Sequence, residues 1–261
     1  MGRRRPRSRD PVSSTAKSFD TVSESASEKN CPSSVANSPR RDSDISVDYS
    51  VLGDVAAAHR QRVRELPQGT SWGDFKVLDV IGRGEYGFVV VARHRMSAAV
   101  YAIKILSKRQ AKKQHSIEKL LREVEVHRAV SGHQYLVEMA GAFQDADNVY
   151  CAMDFCAGAD LFALIAREDR ISASDARTYF AQLMLVIEHV HNCGIVYRDL
   201  KPENVLIDAR GILKLADFGL SKPLSGGRAG RTHTHCGTLE YLAPEIITKS
   251  GHGVAVDWCA G

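Results

Sequence analysis

Several features common in other protein classes are missing from this sequence, and each absence narrows the possible function. No apolar run approaches the ~18 residues that a transmembrane helix needs, so no membrane span is predicted. No apolar stretch follows the basic start, which argues against a secretory signal, and Pro6 stands where a myristoylation signal requires Ser or Thr. The formal net charge is only +4, which gives no indication of a nucleic-acid partner.

The six cysteines contain no Cys-x-x-Cys pair and lie in otherwise well-patterned segments. Without a secretory signal they are interpreted as reduced thiols, which predicts a cytoplasmic or nuclear location. The remaining composition, with 44% hydrophobic and 25% charged residues in 261, is that of a globular protein.

Aromatic residues are scarce near the N-terminus, where Phe19 and Tyr49 are the only two among the first 50 residues. This Ser- and Arg-rich region cannot bury enough apolar surface to offset the loss of chain entropy, so residues 1–70 are predicted to be a disordered extension. Its arginine cluster fits a solvated basic tail better than a nuclear-import or anionic-surface signal. Residues 55–66 have the composition of a short helix.

The pattern changes at Phe75, where a folded domain is predicted to begin. FKVLDVIGRGEYGFVVVARH predicts two strands around a Gly-rich turn, and VYAIKIL predicts a third. SIEKLLREVEVHRAV has helical periodicity, short strands follow near Met139 and Val149, and a long helix is expected from about Ser174 to Asn192. A β-rich half followed by an α-rich half indicates an α+β fold with two lobes.

The motif Gly82-x-Gly84-x-x-Gly87 occurs in phosphate-binding loops, in dinucleotide sites and in chance Gly-rich turns. In a Rossmann unit the glycines open a helix, whereas here the predicted strand FVVVA follows Gly87. The context therefore favours a hairpin whose backbone can approach phosphates closely, and it argues against a nucleotide-binding oxidoreductase.

Lys104 lies in a strand that is otherwise apolar on both faces. Burying this charge unpaired would be costly, so Lys104 is either an edge lysine that reaches water or a residue with an anionic partner. Glu123, which lies 19 residues further along on the predicted amphipathic helix, can supply that partner.

The segment IVYRDLKPENVLI places three polar side chains between two apolar runs. Asp199 can accept a proton from an attacking hydroxyl, Lys201 can neutralise a transferring phosphoryl group, and Asn204 can hold a metal ion. Asp217 in ADFGL adds an acidic metal ligand 18 residues after Asp199. Phosphoryl transfer requires such a set, because its chemistry consists mainly of positioning and charge neutralisation.

The motifs GxGxxG, AIK, RDLKPEN, DFG and APE, in this order, resemble those of eukaryotic protein kinases. The resemblance implies the two-lobed kinase fold, with a β-rich lobe over about 75–154 and a helical lobe over about 155–261. It also implies ATP and Mg²⁺ as cofactors, protein substrates and an ion pair that orients the phosphates. The implied catalytic residues are Lys104, Glu123, Asp199 and Lys201, and the implied metal ligands are Asn204 and Asp217.

The same resemblance implies a nucleotide site between the lobes. Met153 would guard the back of the adenine pocket, and residues 154–156 would form the hinge whose backbone binds adenine. The implied nucleotide contacts are Ile81, Gly82, Gly84, Gly87, Val89, Ala102, Lys104, Met153, Asp154, Cys156 and Leu206.

Lys201 and Thr238 of CGT are similar to residues of Ser/Thr kinases, with Thr238 at the substrate site. THTHCGTLEYLAPE and the motif YRD resemble the AGC group, the relatives of cyclic-nucleotide-dependent and ribosomal S6 kinases. In that group, residues at the positions of Asp160 and Glu203 bind arginines upstream of the target Ser/Thr. The alternative interpretation is that these are two solvated surface acids.

Thr234 matches the threonine that an upstream kinase phosphorylates in the AGC group. The resemblance brings three cations, Lys119, Arg198 and Lys222, to the phosphate that Thr234 would carry. The alternative is that Thr234 is an exposed hydroxyl without a regulatory role.

His127 departs from the family pattern, because it stands one helical turn after Glu123 where an aliphatic residue is usual. It would join a hydrophobic stack with Met139, Tyr197 and Phe218. A histidine there either turns its polar edge to a partner or weakens the stack.

Two further readings concern the C-terminal part. HTHC at 233–236 could bind zinc in principle, but a zinc site needs ligands from more than one segment.

The sequence stops at VDWCAG, where Asp257 would begin the central helix of the larger lobe, so it is interpreted as a fragment or an incomplete gene model. That ending and His127 are the only support for the alternative of a non-catalytic, kinase-like binding module.

Overall fold

The computed structural model describes residues 65–84, 87–113 and 116–259. Its first lobe is built on a five-stranded antiparallel sheet with the strand order β1-β2-β3-β5-β4, which confirms the predicted β-rich half. The strands are β1 Phe75–Gly84, β2 Gly87–His94, β3 Val100–Ser107, β4 Met139–Gln144 and β5 Asn148–Asp154.

The central position of β3 explains its apolar sequence. It pairs with β2 on one side and β5 on the other, and its residues Tyr101, Ile103 and Ile105 are buried. These side chains join Phe75 and Tyr150 in the core on one face of the sheet. The other face of β3 is turned towards the second lobe and carries Lys104.

Residues before β1 also belong to this lobe. The Leu66 N–H donates to the Ala140 carbonyl at 3.1 Å, and the Trp72 ring stacks on Tyr150 with centroids 5.0 Å apart. The ordered unit therefore begins at least at Leu66, before the predicted end of the extension at residue 70. Most of the helix predicted at 55–66 lies outside the described residues, and Leu66 itself is not helical.

Two helices lie between β3 and β4, α1 Lys108–Lys113 and α2 Ile117–Val130. The predicted amphipathic helix corresponds to α2, which buries Leu120, Val126, His127 and Val130. Val126 and Val130 pack against Ile187 in the core of the second lobe, so α2 connects the two lobes.

The second lobe has the predicted helical character. Its longest helix, α4 Ala173–Asn192, is capped by Ser172, whose hydroxyl accepts from the Asp175 N–H at 3.0 Å. None of the helices in the described ranges combines the length and apolar character of a membrane span. The helices are α3 Leu161–Glu168, α4 Ala173–Asn192 and α5 Pro244–Ile247, and the strand pairs are β6 Ile195–Val196 with β9 Lys222–Pro223 and β7 Val205–Ile207 with β8 Leu213–Leu215.

Candidate active site

Three polar side chains surround Asp199, two from the loop between β6 and β7 and the third, Thr238, from a later segment. One carboxylate oxygen, Oδ1, accepts from the Thr238 hydroxyl at 2.7 Å. The other oxygen accepts from Asn204 Nδ2 at 2.9 Å and lies 3.1 Å from Lys201 Nζ. Lys201 Nζ also donates to the Thr238 hydroxyl at 2.9 Å, so the four residues form one connected network.

Asp257 fixes the backbone at the start of this loop. Its carboxylate accepts from the backbone N–H of Tyr197 at 2.9 Å and of Arg198 at 2.7 Å, and from His191 Nε2 at 2.7 Å. Arg198 has a φ of 72°, a left-handed conformation that costs free energy outside glycine and therefore needs such support. The sequence analysis gave Asp257 no role at the site, although a lone carboxylate in the apolar run VAVDW is a detectable signal.

Lys104 lies between two carboxylates. Its Nζ is 2.5 Å from Glu123 Oε1 and 3.1 Å from Asp217 Oδ1, although the three residues come from β3, α2 and the segment after β8. Burial alone lowers the pKa of Lys104, but the charges of Asp217 and Glu123 outweigh burial and raise it, so the ammonium form is held. The Lys104 charge in turn keeps the pKa of Asp217 below its usual range, against the effect of burial.

The pKa of Glu123 is shifted in the opposite direction from that of Asp217. Burial raises the pKa of Glu123, and the charge of Lys104 opposes this rise. The pair therefore depends on Lys104, because removal of the ammonium would leave Glu123 buried without a counter-charge.

The segment after β8 brings Asp217 to Lys104 through an unusual backbone. Asp217 has a φ of 52°, and its Oδ1 also accepts from the Gly219 N–H at 3.0 Å. A Cβ on Gly219 would lie 3.1 Å from Asp217 Oδ1 and 3.4 Å from Glu123 Oε2. A side chain at the DFG glycine would therefore be in tight contact with the Asp217 carboxylate and in ordinary contact with that of Glu123.

Asn204 and Asp217 are suited to hold a divalent cation together with an anionic ligand. The Asn204 side-chain amide donates to the carbonyl and carboxylate of Asp199, at 2.8 and 2.9 Å, so its own oxygen is left to face a cation. Carboxylate and amide oxygens are the ligands that Mg²⁺ prefers. Two protein ligands suit Mg²⁺, which keeps waters and substrate phosphates in its other positions.

Four of the implied nucleotide contacts pack together on the inner face of the sheet. Ile81, Val89, Ala102 and Met153 belong to one apolar cluster, which also contains Phe155. Leu206 lies on β7, which meets the start of α3 through a backbone bridge between Leu206 and Asp160.

The three glycines of the Gly-rich hairpin have different surroundings, and only Gly87 is required by sterics. A Cβ on Gly87 would lie only 1.8 Å from the Ile105 carbonyl oxygen, so this glycine is required by the close approach of β3. Among the described residues, a Cβ on Gly84 would meet no atom within 4 Å. A Cβ on Gly82 would lie 3.7 Å from the Val89 side chain, which is an ordinary contact. The expected reason, close approach to phosphates, is therefore not needed to explain Gly87.

The hinge follows β5 and passes close to β7. A Cβ on Gly158 would lie 1.6 Å from the Ile207 carbonyl oxygen, so only glycine fits at that position. Burial raises the pKa of Asp154 to about 6 and that of the Cys156 thiol to about 12. Cys156 is therefore an uncharged thiol at neutral pH.

His127 adopts the first of the two arrangements expected for it. Its Nε2 donates to the Val137 carbonyl at 2.7 Å, and its ring packs on Phe218 with centroids 5.0 Å apart. Phe218 in turn meets the Tyr197 ring edge-on at 5.4 Å. Burial lowers the pKa of His127, so the neutral ring takes the place of an aliphatic side chain in this stack.

Thr234 is exposed and lies within a group of cations. The Nζ of Lys222 donates to the hydroxyls of Thr234 and Thr232 at 2.9 and 2.8 Å. Arg198 donates to the Leu220 carbonyl at 2.8 Å from Nε and at 2.6 Å from Nη2.

Arg122 of α2 is a cation of this group that the sequence analysis missed. Burial lowers the pKa values of Arg198 and Lys222, and the charge of Arg122 lowers both further. The charge of Lys119, the helix cation expected at this place, acts on Cys236, two residues after Thr234, so its role beside Thr234 stays a prediction. Arg122 directly precedes Glu123, which is the signal that could have identified it.

The two acids expected to bind arginine have different environments. Asp160 caps α3, because its Oδ1 accepts from the Ala163 N–H at 2.7 Å, and its side chain is partly exposed. Glu203 is exposed in the short 3₁₀ turn Pro202–Asn204, which packs against α3. The packing of this turn against α3 and the backbone bridge from Asp160 to Leu206 bring the two acids into the same region of the lobe.

The structure gives no support for a zinc site at HTHC, residues 233–236. Among the described residues, no group of three or more His, Cys, Asp or Glu side chains is placed to hold a metal ion. His233 instead packs over Gly251, at whose position a Cβ would lie 2.7 Å from its Nε2.

Comparison with known proteins agrees with this geometry. The family model of the protein kinase domain matches residues 75–261. The putative ribosomal protein S6 kinase alpha-1 of Caenorhabditis elegans is 40% identical over 204 residues, which are 76% of this chain and 26% of that protein. The serine/threonine-protein kinase Sgk1 of Rattus norvegicus is 41% identical over 189 residues, or 72% of this chain and 44% of the relative. A RAC family serine/threonine-protein kinase homolog of Dictyostelium discoideum is 37% identical over 185 residues, which are 71% of this chain and 41% of that protein.

The chain therefore belongs to the protein kinase family. Its S6 kinase, Sgk and RAC relatives place it more narrowly in the AGC group. The chain spans less than half the length of these curated relatives, with 26 to 44% of each covered.

Proposed function

We propose that this protein is a Ser/Thr protein kinase that transfers the γ-phosphoryl group of ATP to Ser or Thr hydroxyls of protein substrates. The observation that carries the proposal is the Asp199 network with Thr238, Lys201 and Asn204, found together with the Lys104–Glu123–Asp217 group. The Asp199 network can accept the proton of the attacking hydroxyl, and the Lys104 group can neutralise the charge of the nucleotide phosphates.

Each residue of the site has a role that its contacts support. Asp199 accepts the proton of the substrate hydroxyl as the hydroxyl oxygen bonds to the γ-phosphorus and the bond from phosphorus to the β–γ bridging oxygen breaks. Lys201 lies 3.1 Å from the Asp199 carboxylate and stabilises negative charge on the transferring group. Thr238 bonds to both residues and orients them for the incoming hydroxyl.

ATP with Mg²⁺ supplies the phosphoryl group and the metal charge that neutralises its oxygens. Asn204 and Asp217 would hold the metal, and Lys104, fixed by Glu123, would bind the phosphates. The apolar cluster with Val89 and Ala102 would contact the adenine from one side, with Leu206 on the other.

The base role of Asp199 predicts a loss of turnover in Asp199→Asn of the full-length protein. ATP affinity is expected to stay nearly intact, because Asp199 lies with the substrate hydroxyl rather than with the nucleotide. The kcat is expected to fall by ~10²-fold or more, the scale of a lost general base.

The measurements are a Mg·ATP binding titration and a phosphate-transfer assay. The matched control is Asp147→Asn, which removes one exposed carboxylate in the turn between β4 and β5. Near-normal turnover in Asp199→Asn would remove Asp199 from the base role, and absence of Mg·ATP binding in the wild type would favour a non-catalytic module.

We also propose a preference for arginine upstream of the target residue, bound by Asp160 and Glu203. Support comes from their exposure on the lobe that carries the Asp199 network. Asp160 uses one carboxylate oxygen as a helix cap, which leaves the other for a guanidinium.

Asp160→Asn is a sharp test, because the amide oxygen can still cap α3 while the charge is lost. In Asp160→Asn/Glu203→Gln, the KM for an arginine-containing peptide is expected to rise by ~10-fold or more, the scale of charge-assisted bonds. Peptides with the arginines replaced by alanine should show the same KM for both enzymes. An unchanged KM for the arginine peptide would identify the two residues as solvated surface acids.

The third element of the proposal is activation by an upstream kinase that phosphorylates Thr234. The support is the exposure of Thr234 and its place beside Lys222, Arg198 and Arg122, whose charges repel one another without an anion. A phosphate brings ~1.5 to 2 negative charges and three acceptor oxygens, enough to link the catalytic loop, β9 and α2.

A further inference from the structure

A backbone bridge brings His252 to the segment between β9 and α5 that carries Thr232 and Thr234, here called the activation segment. Thr232 and His252 exchange two hydrogen bonds, each 2.8 Å from N to O, as an isolated antiparallel pair. Residues opposite each other in such a pair present their side chains on the same face. The His252 imidazole therefore stands on the same face as the Thr232 hydroxyl.

That hydroxyl is part of the Thr234 site. It lies 3.2 Å from the Thr234 hydroxyl and accepts from Lys222 Nζ at 2.8 Å. His252, placed on this face, is thereby a neighbour of the residue proposed to carry the phosphate.

Two buried nitrogens near this site have no hydrogen-bond partner among the described residues. They are Nε2 of His252, a residue that is 2% exposed, and Nη1 of Arg198, which is 8% exposed. Buried polar groups nearly always have a hydrogen-bond partner. Nη1 of Arg198 can only donate, and Nε2 of His252 donates once the ring is protonated, so an anionic acceptor suits both nitrogens. A phosphate offers three acceptor oxygens.

Charged groups from four segments act on His252. Burial and the Arg198 charge lower its pKa, as does Lys222 of β9, whereas Glu245 of α5 and Asp257 raise it. The imidazole is therefore neutral at pH 7 when Thr234 is unmodified. A phosphate dianion would favour the imidazolium, because an opposite charge stabilises the charged form.

We propose that His252 is a ligand of the phosphate on Thr234 and takes up a proton when that phosphate is present. This rests on the proposed phosphorylation of Thr234. It makes the ordered state of the activation segment dependent on pH, with the imidazolium bound at low pH and lost as pH rises. It also ties the segment to a residue five positions before Asp257, which holds the catalytic loop.

The test follows the His252 ring by NMR in the full-length protein, with Thr234 either unmodified or fully phosphorylated. The His252 pKa is expected to rise by ~1 unit or more on phosphorylation. In the same samples, ³¹P shifts of the phosphothreonine report its second ionisation, whose pKa should be higher in His252→Gln than in the wild type. Glutamine keeps an N–H donor near the position of Nε2 but cannot take up a proton.

His233→Gln is the matched control, since His233 is an exposed histidine of the same segment. It should leave the ³¹P titration unchanged. A His252 pKa that is the same with and without phosphate, or a ³¹P titration that His252→Gln does not move, would overturn the inference.

The activity of the same samples tests the underlying switch separately. Kinase activity should rise with phosphorylation and stay low in Thr234→Ala. If activity does not rise while the His252 pKa does, the switch is wrong and the His252 contact stands. If activity rises and the His252 pKa does not, only the contact is wrong.

Discussion

At the scale of single residues, His127 shows how a polar side chain can stand in an apolar stack. It does so by donating Nε2–H to the Val137 carbonyl and by keeping a neutral ring against Phe218. The arrangement links α2, which carries Glu123, to the DFG segment. Its stability depends on the protonation of His127, because the buried ring resists a charge.

His127→Leu is therefore expected to destabilise the protein at pH 7.5 by roughly 1–3 kcal/mol, since the buried Val137 carbonyl loses its donor. The pH dependence has a definite sign. The folded-state pKa of His127 is lowered, so the unfolded state takes up the proton first as pH falls below about 6.5. The wild type should lose stability between pH 7 and 5.5 relative to the leucine variant.

Thermal unfolding midpoints of the full-length protein across this pH range measure the effect. His127→Gln retains an N–H donor and does not titrate, so it should be destabilised less than His127→Leu and should lack the wild-type decline. Parallel pH profiles for the wild type and His127→Leu would show that His127 is not the titrating group.

At the scale of elements, α4 has apolar residues on nearly all sides but only part of its surface is covered. Val186, Ile187 and Val190 are fully buried, whereas Phe180 and Leu185 are 55% and 50% exposed. The uncovered side contributes Phe180 and Met184 to a pocket that Leu200 and Trp258 also line. Apolar patches of this kind in a single chain promote association.

We therefore expect the isolated 261-residue chain to bind a hydrophobic dye and to unfold over a broad range. Phe180→Ser/Leu185→Ser should lower dye binding, because it removes exposed apolar surface. Ile187→Ser is the buried counterpart and should raise dye binding by disrupting the core. Dye fluorescence and calorimetry are the measurements, and a sharp cooperative transition without dye binding would contradict the prediction.

At the scale of the whole molecule, contacts between distant segments assemble the site. Lys104 meets Asp217 across 113 residues, and Asp257 binds the Arg198 N–H across 59. Hydrophobic packing also joins distant segments, since Val126 and Val130 of the first lobe pack with Ile187 of the second. Movement of α2 would therefore shift Glu123 and the stack around Phe218 together.

The sequence by itself indicated the five strands and the helix α2 of the first lobe, the long helix α4 of the second, and the class of the protein. The short strand pairs β6–β9 and β7–β8 were not predicted. Periodicity is a local property, so the strands around the Gly-rich turn and the helix at Ala173–Asn192 could be read from nearby residues. The motif order likewise pointed to the residues around Asp199 and to Asp217, because phosphoryl transfer requires a particular set of side-chain types.

Only the tertiary structure decided which side chains meet. The charge of Arg122 acts on Arg198 and Lys222, Asp257 supports the strained backbone of Arg198, and His252 pairs with Thr232 through the backbone. None of these pairings follows a local period, because each depends on how one segment packs against another far along the chain. The spacing of residues along the sequence carries no information on such packing until the cores of the two lobes have formed.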